Sequence, residues 1–115
     1  MTQRRALVTG GSGDIGGAIC RQIAADGVHV IVHANANLAR AEAVVAQIRE
    51  AGGSAQAVAF DVADGNATAL ALTALLTDGP IQIVVKKRDR QNAFREVWSY
   101  VLDPRDPVGT GFVLR

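Results

Sequence analysis

The sequence predicts an α/β fold in which the strands of a parallel sheet alternate with helices. Short apolar segments rich in β-branched residues alternate with longer segments whose apolar residues recur every three or four positions. The strand segments are nearly continuous in apolar character, as in parallel sheets that helices cover on both faces. Right-handed crossovers then give the element order β-α-β-α-β-α-β and the strand order 3-2-1-4.

Four strands and three helices follow from this pattern. The predicted strands are residues 5–9, 28–33, 55–60 and 81–85. In the first helix Ile15, Ile19 and Ile23 recur every four residues, which predicts a buried face, and Gly27 ends the helix.

The second and third helices carry capping residues as well as an apolar face. Asn35 or Asn37 can cap the second helix, and Asp64 can cap the third. The two apolar faces are formed by Leu38, Ala41, Val45 and Ile48, and by Leu72, Leu75 and Leu76. Glycine pairs or a Gly-Pro sequence follow both helices, as expected at helix ends.

The overall composition fits one small globular domain. The chain has 115 residues, of which 49% are hydrophobic and 20% charged, and its net charge is +1. This charge gives no reason to expect nucleic acid or a membrane surface as a partner. The single cysteine, Cys20, excludes an internal disulfide, and no segment resembles a signal peptide or a membrane span. We therefore expect a cytoplasmic protein.

Composition changes abruptly at Val85, which predicts a boundary between residues 1–85 and an atypical tail, residues 86–115. The first part holds 19 of the 20 alanines, whereas the tail holds four of the five aromatic residues. The tail also carries 7 Lys or Arg against 4 Asp or Glu, an excess of positive charge. Apolar pairs at four-residue spacing over residues 93–102 predict an amphipathic helix, followed by an irregular end.

A glycine-rich loop joins the first strand to the first helix. Residues 11–16 read Gly-Ser-Gly-Asp-Ile-Gly, a GxGxxG sequence within a βαβ unit of the expected length. The glycines allow a tight turn and close approach of a pyrophosphate, which the helix start attracts through its free N–H groups and its dipole. We therefore predict dinucleotide binding. A lysine followed by serine or threonine is missing, so the loop is not a P-loop.

The residues after the second strand favour NADP over NAD. NAD-binding domains usually carry an acid there, which bonds the ribose 2′-hydroxyl. Residues 33–37 contain no acid, and Arg40, one turn into the next helix, can approach a 2′-phosphate. A solvated helix charge is the alternative interpretation of Arg40. We also count Asn35 among the candidate cofactor-binding residues.

Asp14 lies close to the expected pyrophosphate. Its negative charge suits the first turn of a helix, but the same charge repels an anion bound there.

Asp61 and Val62 end the third strand and are candidates for an adenine pocket. A carboxylate in this position can accept a hydrogen bond from the adenine amino group, and the neighbouring backbone can line the same pocket. The alternative is an aspartate that only ends the strand in a turn.

Together the glycine loop, the acid-free end of the second strand and residues 60–64, Phe-Asp-Val-Ala-Asp, resemble the short-chain dehydrogenase/reductase family. The resemblance covers residues 4–85 and is strongest to the N-terminal part of β-ketoacyl-acyl-carrier-protein reductases. It implies a Rossmann fold and NADPH-dependent ketone reduction of the kind used in fatty acid biosynthesis. The residues that match the family's cofactor loop and adenine pocket are Thr9, Gly10, Ser12, Ile15, Gly16, Asp61 and Val62. Gly13 of the same loop is a further candidate for cofactor binding.

The sequence departs from the family in three places. Asp14 stands where the main branch has a glycine, and Lys86 begins the segment where Asn-Asn-Ala-Gly is expected. The family's catalytic Tyr-x-x-x-Lys is missing, because Tyr100 is followed four residues later by Pro104. We therefore assign no catalytic residue, expect an inactive chain, and interpret the tail as the product of a frameshift or fusion. A non-catalytic nucleotide-binding module, with the tail as a cap or partner helix, is the alternative.

Two further expectations concern metals and partners. His29 and His33 lie on one face of a strand with no third ligand nearby, so no metal site is predicted. The fourth strand should form a sheet edge, and an exposed edge allows self-association with other chains.

Overall fold

The computed structural model describes residues 3–85, 98–100 and 112–114. Its helices and strands are β1 (Arg5–Val8), α1 (Asp14–Ala25), β2 (His29–Ala34), α2 (Leu38–Glu50), β3 (Ala55–Ala59), α3 (Gly65–Leu76), β4 (Ile83–Val85), β5 (Trp98–Tyr100) and β6 (Phe112–Leu114). The first four strands form one parallel sheet in the order β3-β2-β1-β4. The predicted α/β fold and strand order are therefore confirmed.

The core lies on both faces of this sheet. Alternate residues of β1 and β2 point to opposite faces, as the pleat of a strand requires. Val8, Val30 and Val32 pack on the side of α1 and α2. Leu7 and Ile31 pack on the other side, against α3. Each central strand is covered on both faces, which explains its continuous apolar sequence.

Arg5 is a charged residue within this core, at the start of β1. Its guanidinium donates hydrogen bonds to the carbonyl oxygens of Leu75 and Gly79, at 3.1 and 2.7 Å. The Leu75 carbonyl lies in the last turn of α3, where the helix dipole favours a cation, and Gly79 lies in the turn that follows the helix. Its second terminal nitrogen, Nη2, is buried without a partner among the described residues. Arg5 thus ties α3 to the sheet.

The helix ends follow the sequence closely. Asp64 caps α3 through its side chain, which accepts from the N–H groups of Asn66 and Ala67. Gly27, Gly52 and Gly79 have positive φ angles after the three helices, a conformation that favours glycine. Among the helices of the described residues, none has the length and apolar character needed to cross a bilayer.

The predicted buried face of α1 was wrong by about one residue step around the helix. Gly16, Gly17, Cys20 and Ala24 are the buried residues of α1. Ile15 is 47% exposed, and Ile19 and Ile23 only flank the core. Small residues face the sheet because α1 packs closely on the loop below it, and the isoleucines fill the sides of that contact.

The helix predicted over residues 93–102 was also wrong, at least at residues 98–100. These residues form β5, which pairs antiparallel with β6. Short apolar runs fit either period, and aromatic residues such as Trp98 and Tyr100 favour strands. The remaining residues of that prediction lie outside the described part of the chain. The strand bounds differ from prediction by one or two residues elsewhere.

Candidate cofactor-binding site

The glycine loop follows β1 at the carboxyl end of the parallel strands, where α/β sheets bind ligands. Gly10 has a φ of +68°, so the chain turns sharply as soon as β1 ends. The N–H of Gly11 donates to the carbonyl of Val8, and the N–H of Gly13 donates to the carbonyl of Gly10, each at 3.2 Å. Two consecutive turns thus bring the chain directly into α1.

The glycines of the loop serve different purposes. A Cβ atom built on Gly16 would lie 2.2 Å from the Gly10 carbonyl oxygen, so this glycine is required for α1 to pack on the loop. A Cβ on Gly11 would lie 2.9 Å from the sulfur of Cys20. A Cβ on Gly13 would meet only the Gly10 carbonyl oxygen, at an ordinary 3.6 Å. Packing therefore does not require glycine at position 13.

Helix α1 begins at Asp14, with Gly13 as its N-cap residue and no side chain capping it. The N–H groups of a first helical turn have no partner within the helix, and the dipole makes that end positive. A helix start without a side-chain cap can bind an anion instead. Asp14 is exposed there and carries the only acidic side chain of that first turn.

A cleft of about 420 Å³ lies between the glycine loop, α1 and α2. Its lining residues are Ser12, Gly13, Asp14, Arg21, Arg40, Ala43, Val44 and Gln47. Arg40 therefore lines the same cleft as Ser12 and Gly13 of the glycine loop. Arg21 was not predicted to take part, and its guanidinium donates to Gln47 at 2.9 Å, across the two helices. The cleft thus has two cations and one carboxylate on its walls.

Asn35, Asp61 and Val62 form a second group, where β2 and β3 end. Asn35 donates to Asp61 Oδ1 at 3.3 Å and accepts from the N–H of Val62 at 3.1 Å. Asp61 Oδ1 also accepts from the N–H of Ala63 at 2.9 Å. The bonds from Asn35 and Ala63 therefore go to the same carboxylate oxygen. Asn35 does not cap α2, because Asn37 accepts from the N–H of Arg40 and takes that role.

Of the ten predicted cofactor residues, only Ser12, Gly13 and Arg40 line this cleft. The hydroxyl of Thr9 donates to the carbonyl of Val85 at 3.2 Å, which holds the ends of β1 and β4 together. Ile15 is exposed in the first turn of α1. Neither side chain lines the cleft that contains Arg40.

His33 is a residue of this site that the sequence interpretation missed. Its ring is 2% exposed and lies between the glycine loop and the end of β3. Nδ1 lies 3.0 Å from the backbone nitrogen of Gly10, and Nε2 lies 2.7 Å from the carbonyl oxygen of Phe60. Burial lowers the pKa of His33 below its usual value, and the bond to Phe60 opposes this shift. The signal available in the sequence was a histidine next to the end of a mostly apolar central strand.

Cys20 lies beneath the loop and is completely buried. Burial raises the pKa of its thiol to about 12, so it stays a neutral thiol that packs against Gly11.

In residues 3–85 no three His, Cys, Asp or Glu side chains are arranged to hold a metal ion.

The strand order, the glycine loop and the helix start behind it define the class of Rossmann folds. A sequence model of the short chain dehydrogenase family matches residues 4–87. The chain therefore belongs to the short-chain dehydrogenase/reductase family, whose members bind a nicotinamide dinucleotide.

Relatives and solved structures agree with this assignment. Acetoacetyl-CoA reductase of Cupriavidus necator is 34% identical, over 90% of this chain and 45% of its own. The 3-oxoacyl-[acyl-carrier-protein] reductase FabG of Aggregatibacter actinomycetemcomitans is 40% identical, over 59% of this chain and 28% of its own. A metagenomic short-chain oxidoreductase in complex with NADP superimposes with a TM-score of 0.68 and 34% identity, over 71% of this chain and 37% of its own.

The matches differ in how far they extend along the chain. The chain spans less than half of each of these three proteins. The family match stops at residue 87, whereas an alignment covering 90% of 115 residues includes residues beyond Val85. The boundary at Val85 stays a prediction.

Proposed function

We propose that residues 9–62 bind NADP and form the cofactor-binding part of a short-chain oxidoreductase. The observation that carries this proposal is the single cleft lined by both the glycine loop and Arg40. The loop and the start of α1 suit a pyrophosphate, and the guanidinium suits the 2′-phosphate that distinguishes NADP from NAD. The acid that would repel this phosphate is missing from residues 33–37.

The second group of polar residues supports adenine binding. Asn35 and Ala63 hold Asp61 through Oδ1. Oδ2 makes no hydrogen bond to the described residues, so it can accept from the adenine amino group. Val62 is 51% exposed and offers an apolar surface to the ring. These contacts fit the adenosine half of a dinucleotide.

The reaction we propose for the whole oxidoreductase is reduction of a ketone of the 3-oxoacyl type, because two relatives are named for such reductions. NADPH, when bound, supplies the hydride. The residues of this chain bind and orient the cofactor. The 115-residue sequence does not contain the Tyr-x-x-x-Lys motif. We therefore expect no turnover of acetoacetyl-CoA by this chain alone.

Titration calorimetry of the 115-residue chain with NADP⁺ and with NAD⁺ tests the proposal. We expect measurable binding of both, with NADP⁺ the tighter by about tenfold or more, since a charge-assisted bond contributes about 1.5–3 kcal/mol. Arg40→Gln should remove the preference. Preference for NAD⁺ would reject the NADP assignment, and binding of neither would reject the site.

The alternative proposal is a nucleotide-binding module without catalysis, with the tail as a cap or partner helix. In either case we propose that residues 86–115 do not derive from the family. Translation of the DNA after the Val85 codon in the other two frames tests this, because a frameshift would reveal Asn-Asn-Ala-Gly there.

We also propose that β4 mediates self-association. It occupies one edge of the four-stranded sheet, with β5 close by but not joined to the ladder. Light scattering should show species larger than a monomer as the concentration rises, and a strict monomer would reject this.

A further inference from the structure

We infer that His33 is a positioning residue whose neutral ring holds the glycine loop in its binding conformation, so that protonation of the ring weakens dinucleotide binding. This inference rests on the proposed function. It assigns a proton-dependent role to a residue that is buried between the loop and the sheet and does not line the cleft.

The hydrogen-bond partners of the ring determine its tautomer. A backbone N–H can only donate, so Nδ1 must present a lone pair to Gly10. A carbonyl oxygen can only accept, so Nε2 must carry the hydrogen that it donates to Phe60. The two contacts together require the neutral Nε2–H form. A proton added at Nδ1 would face the N–H of Gly10 and replace an attraction with a repulsion.

The backbone of His33 holds the loop at a second point. Its carbonyl oxygen accepts from the N–H of Ser12 at 3.3 Å. Side chain and backbone thus hold Gly10 and Ser12, the residues on either side of Gly11. Since Gly10 has a positive φ and Ser12 lines the cleft, a shift of the loop away from β2 would change the shape of the anion site.

A positive charge on the His33 ring would have few charged side chains nearby to balance it. It shares its sheet face with Ile31 and pairs in register with Val58, which packs toward α3. The sequence of α3, residues 65–76, contains no titratable side chain.

The other elements around the ring contribute few charges. Arg5 of β1 and His29 of β2 lie at the opposite end of their strands. Asp61 and Asp64 follow β3, and Asp14 begins α1. The pKa of His33 is lowered by burial, and the bond to Phe60 opposes this shift. Within residues 3–85, the hydrogen-bond partners of the His33 ring are backbone groups of Gly10 and Phe60, and no carboxylate bonds to it.

The size of the expected effect follows from the population of the neutral ring. If only the neutral form holds the loop, the apparent dissociation constant rises in inverse proportion to the neutral fraction. Affinity should therefore fall by about tenfold for each pH unit below the pKa of His33. The 2′-phosphate of NADP also titrates near pH 6, as phosphate monoesters do. The wild-type chain must therefore be compared with a variant whose residue 33 cannot titrate.

His33→Asn is that variant, because its side-chain oxygen can accept from Gly10 and does not change charge. Calorimetry with NADP⁺ between about pH 8 and pH 5.5 should give similar affinities at the upper end. At the lower end the wild-type chain should bind a few-fold more weakly than the variant, and by less than about tenfold, because the pKa of His33 lies below its usual 6.5. His29→Gln, which removes the other histidine, should keep the wild-type profile. Nitrogen chemical shifts of the His33 ring should report the Nε2–H tautomer at pH 8.

Each outcome has a separate meaning. Absence of NADP⁺ binding at pH 8 would reject the proposed function, and with it the basis of this inference. Binding at pH 8 with the same pH profile in wild type and His33→Asn would overturn the role of His33 alone. Circular dichroism at each pH tests a merely structural role. Unfolding of the wild-type chain in parallel with the loss of binding would also overturn the inference.

Discussion

Exchanging two glycines of the same loop for alanine separates packing from ligand binding. Gly16→Ala places a methyl group 2.2 Å from the Gly10 carbonyl oxygen and 2.8 Å from Gly11 Cα. Both neighbours are backbone atoms, so no side-chain rotation relieves the contact. Overpacking costs about 1–3 kcal/mol, and this site should reach the upper end of that range. For a domain of this size, about 3 kcal/mol lowers the melting temperature by more than about 10 °C.

Gly13→Ala is the matched control, since its methyl group meets only one protein atom, at 3.6 Å. Its φ of −81° and ψ of 177° suit alanine. Alanine is a poorer N-cap than glycine, which costs about 1 kcal/mol or less. The new methyl group lies beside the cleft, so NADP⁺ affinity should fall by about tenfold or more, or about 1.4 kcal/mol.

Thermal unfolding by circular dichroism and calorimetry with NADP⁺ measure the two effects on each variant. We expect Gly16→Ala to lose stability and Gly13→Ala to lose mainly affinity. Equal melting temperatures for the two variants would refute the packing argument. Wild-type affinity in Gly13→Ala would refute the placement of the pyrophosphate beside this residue.

Three further predictions concern charge. Arg40→Ala should weaken NADP⁺ binding by about tenfold and leave NAD⁺ binding unchanged, because only NADP⁺ carries the 2′-phosphate; an equal loss for both, by calorimetry, would contradict this. Asp14→Asn should tighten binding of both by a few-fold, since a charge 4 Å away in water contributes about 1 kcal/mol; unchanged affinity would place the carboxylate away from the pyrophosphate. Because the pKa of folded His33 lies below its usual 6.5, the unfolded chain binds the proton more readily. Urea denaturation should therefore show full stability above pH 6.5 and a decline as pH falls toward the lowered pKa, with a shallower decline in His33→Asn.

Much of the fold could be predicted because local signals agreed with each other. Asp64 caps α3 and Gly52 ends α2, as their residue types indicate. The face of α1 could not be predicted from isoleucine spacing, since the closest contact is made by Gly16 and Gly17. A glycine adds nothing to a pattern of apolar side chains, although its lack of a side chain allows a helix to pack most closely on its neighbour.

The site was predictable only where one segment carries the signal. The glycine loop has a spacing that its turn and helix start require, and it could be recognised without the structure. The role of His33 depends on Gly10 and Phe60, which are 23 and 27 residues away along the chain. The same holds for Asn35, whose partner Asp61 lies 26 residues further on. Such contacts exist only after three strands have been placed side by side.

The strand order also has a consequence for how the chain folds. β1 pairs with β2 at a separation of 24 residues, since Arg5 lies opposite His29. Its other neighbour is far more distant, because Ala6 lies opposite Ile83. Closing the longer loop costs about 0.6 kcal/mol more for each doubling of its length. We therefore expect β1, β2 and β3 to assemble first and β4 to join last.

Early in folding, the guanidinium of Arg5 would then lack the carbonyl oxygens at the end of α3 as hydrogen-bond partners. Its guanidinium must stay hydrated until Leu75 and Gly79 arrive, and the late docking of β4 and α3 removes that water. The sheet edge at β4 is thus the section that should open most readily in the native state. Amide hydrogens that donate across the β1–β4 boundary, such as that of Thr9 to Val85, should exchange with solvent sooner than those between β1 and β2.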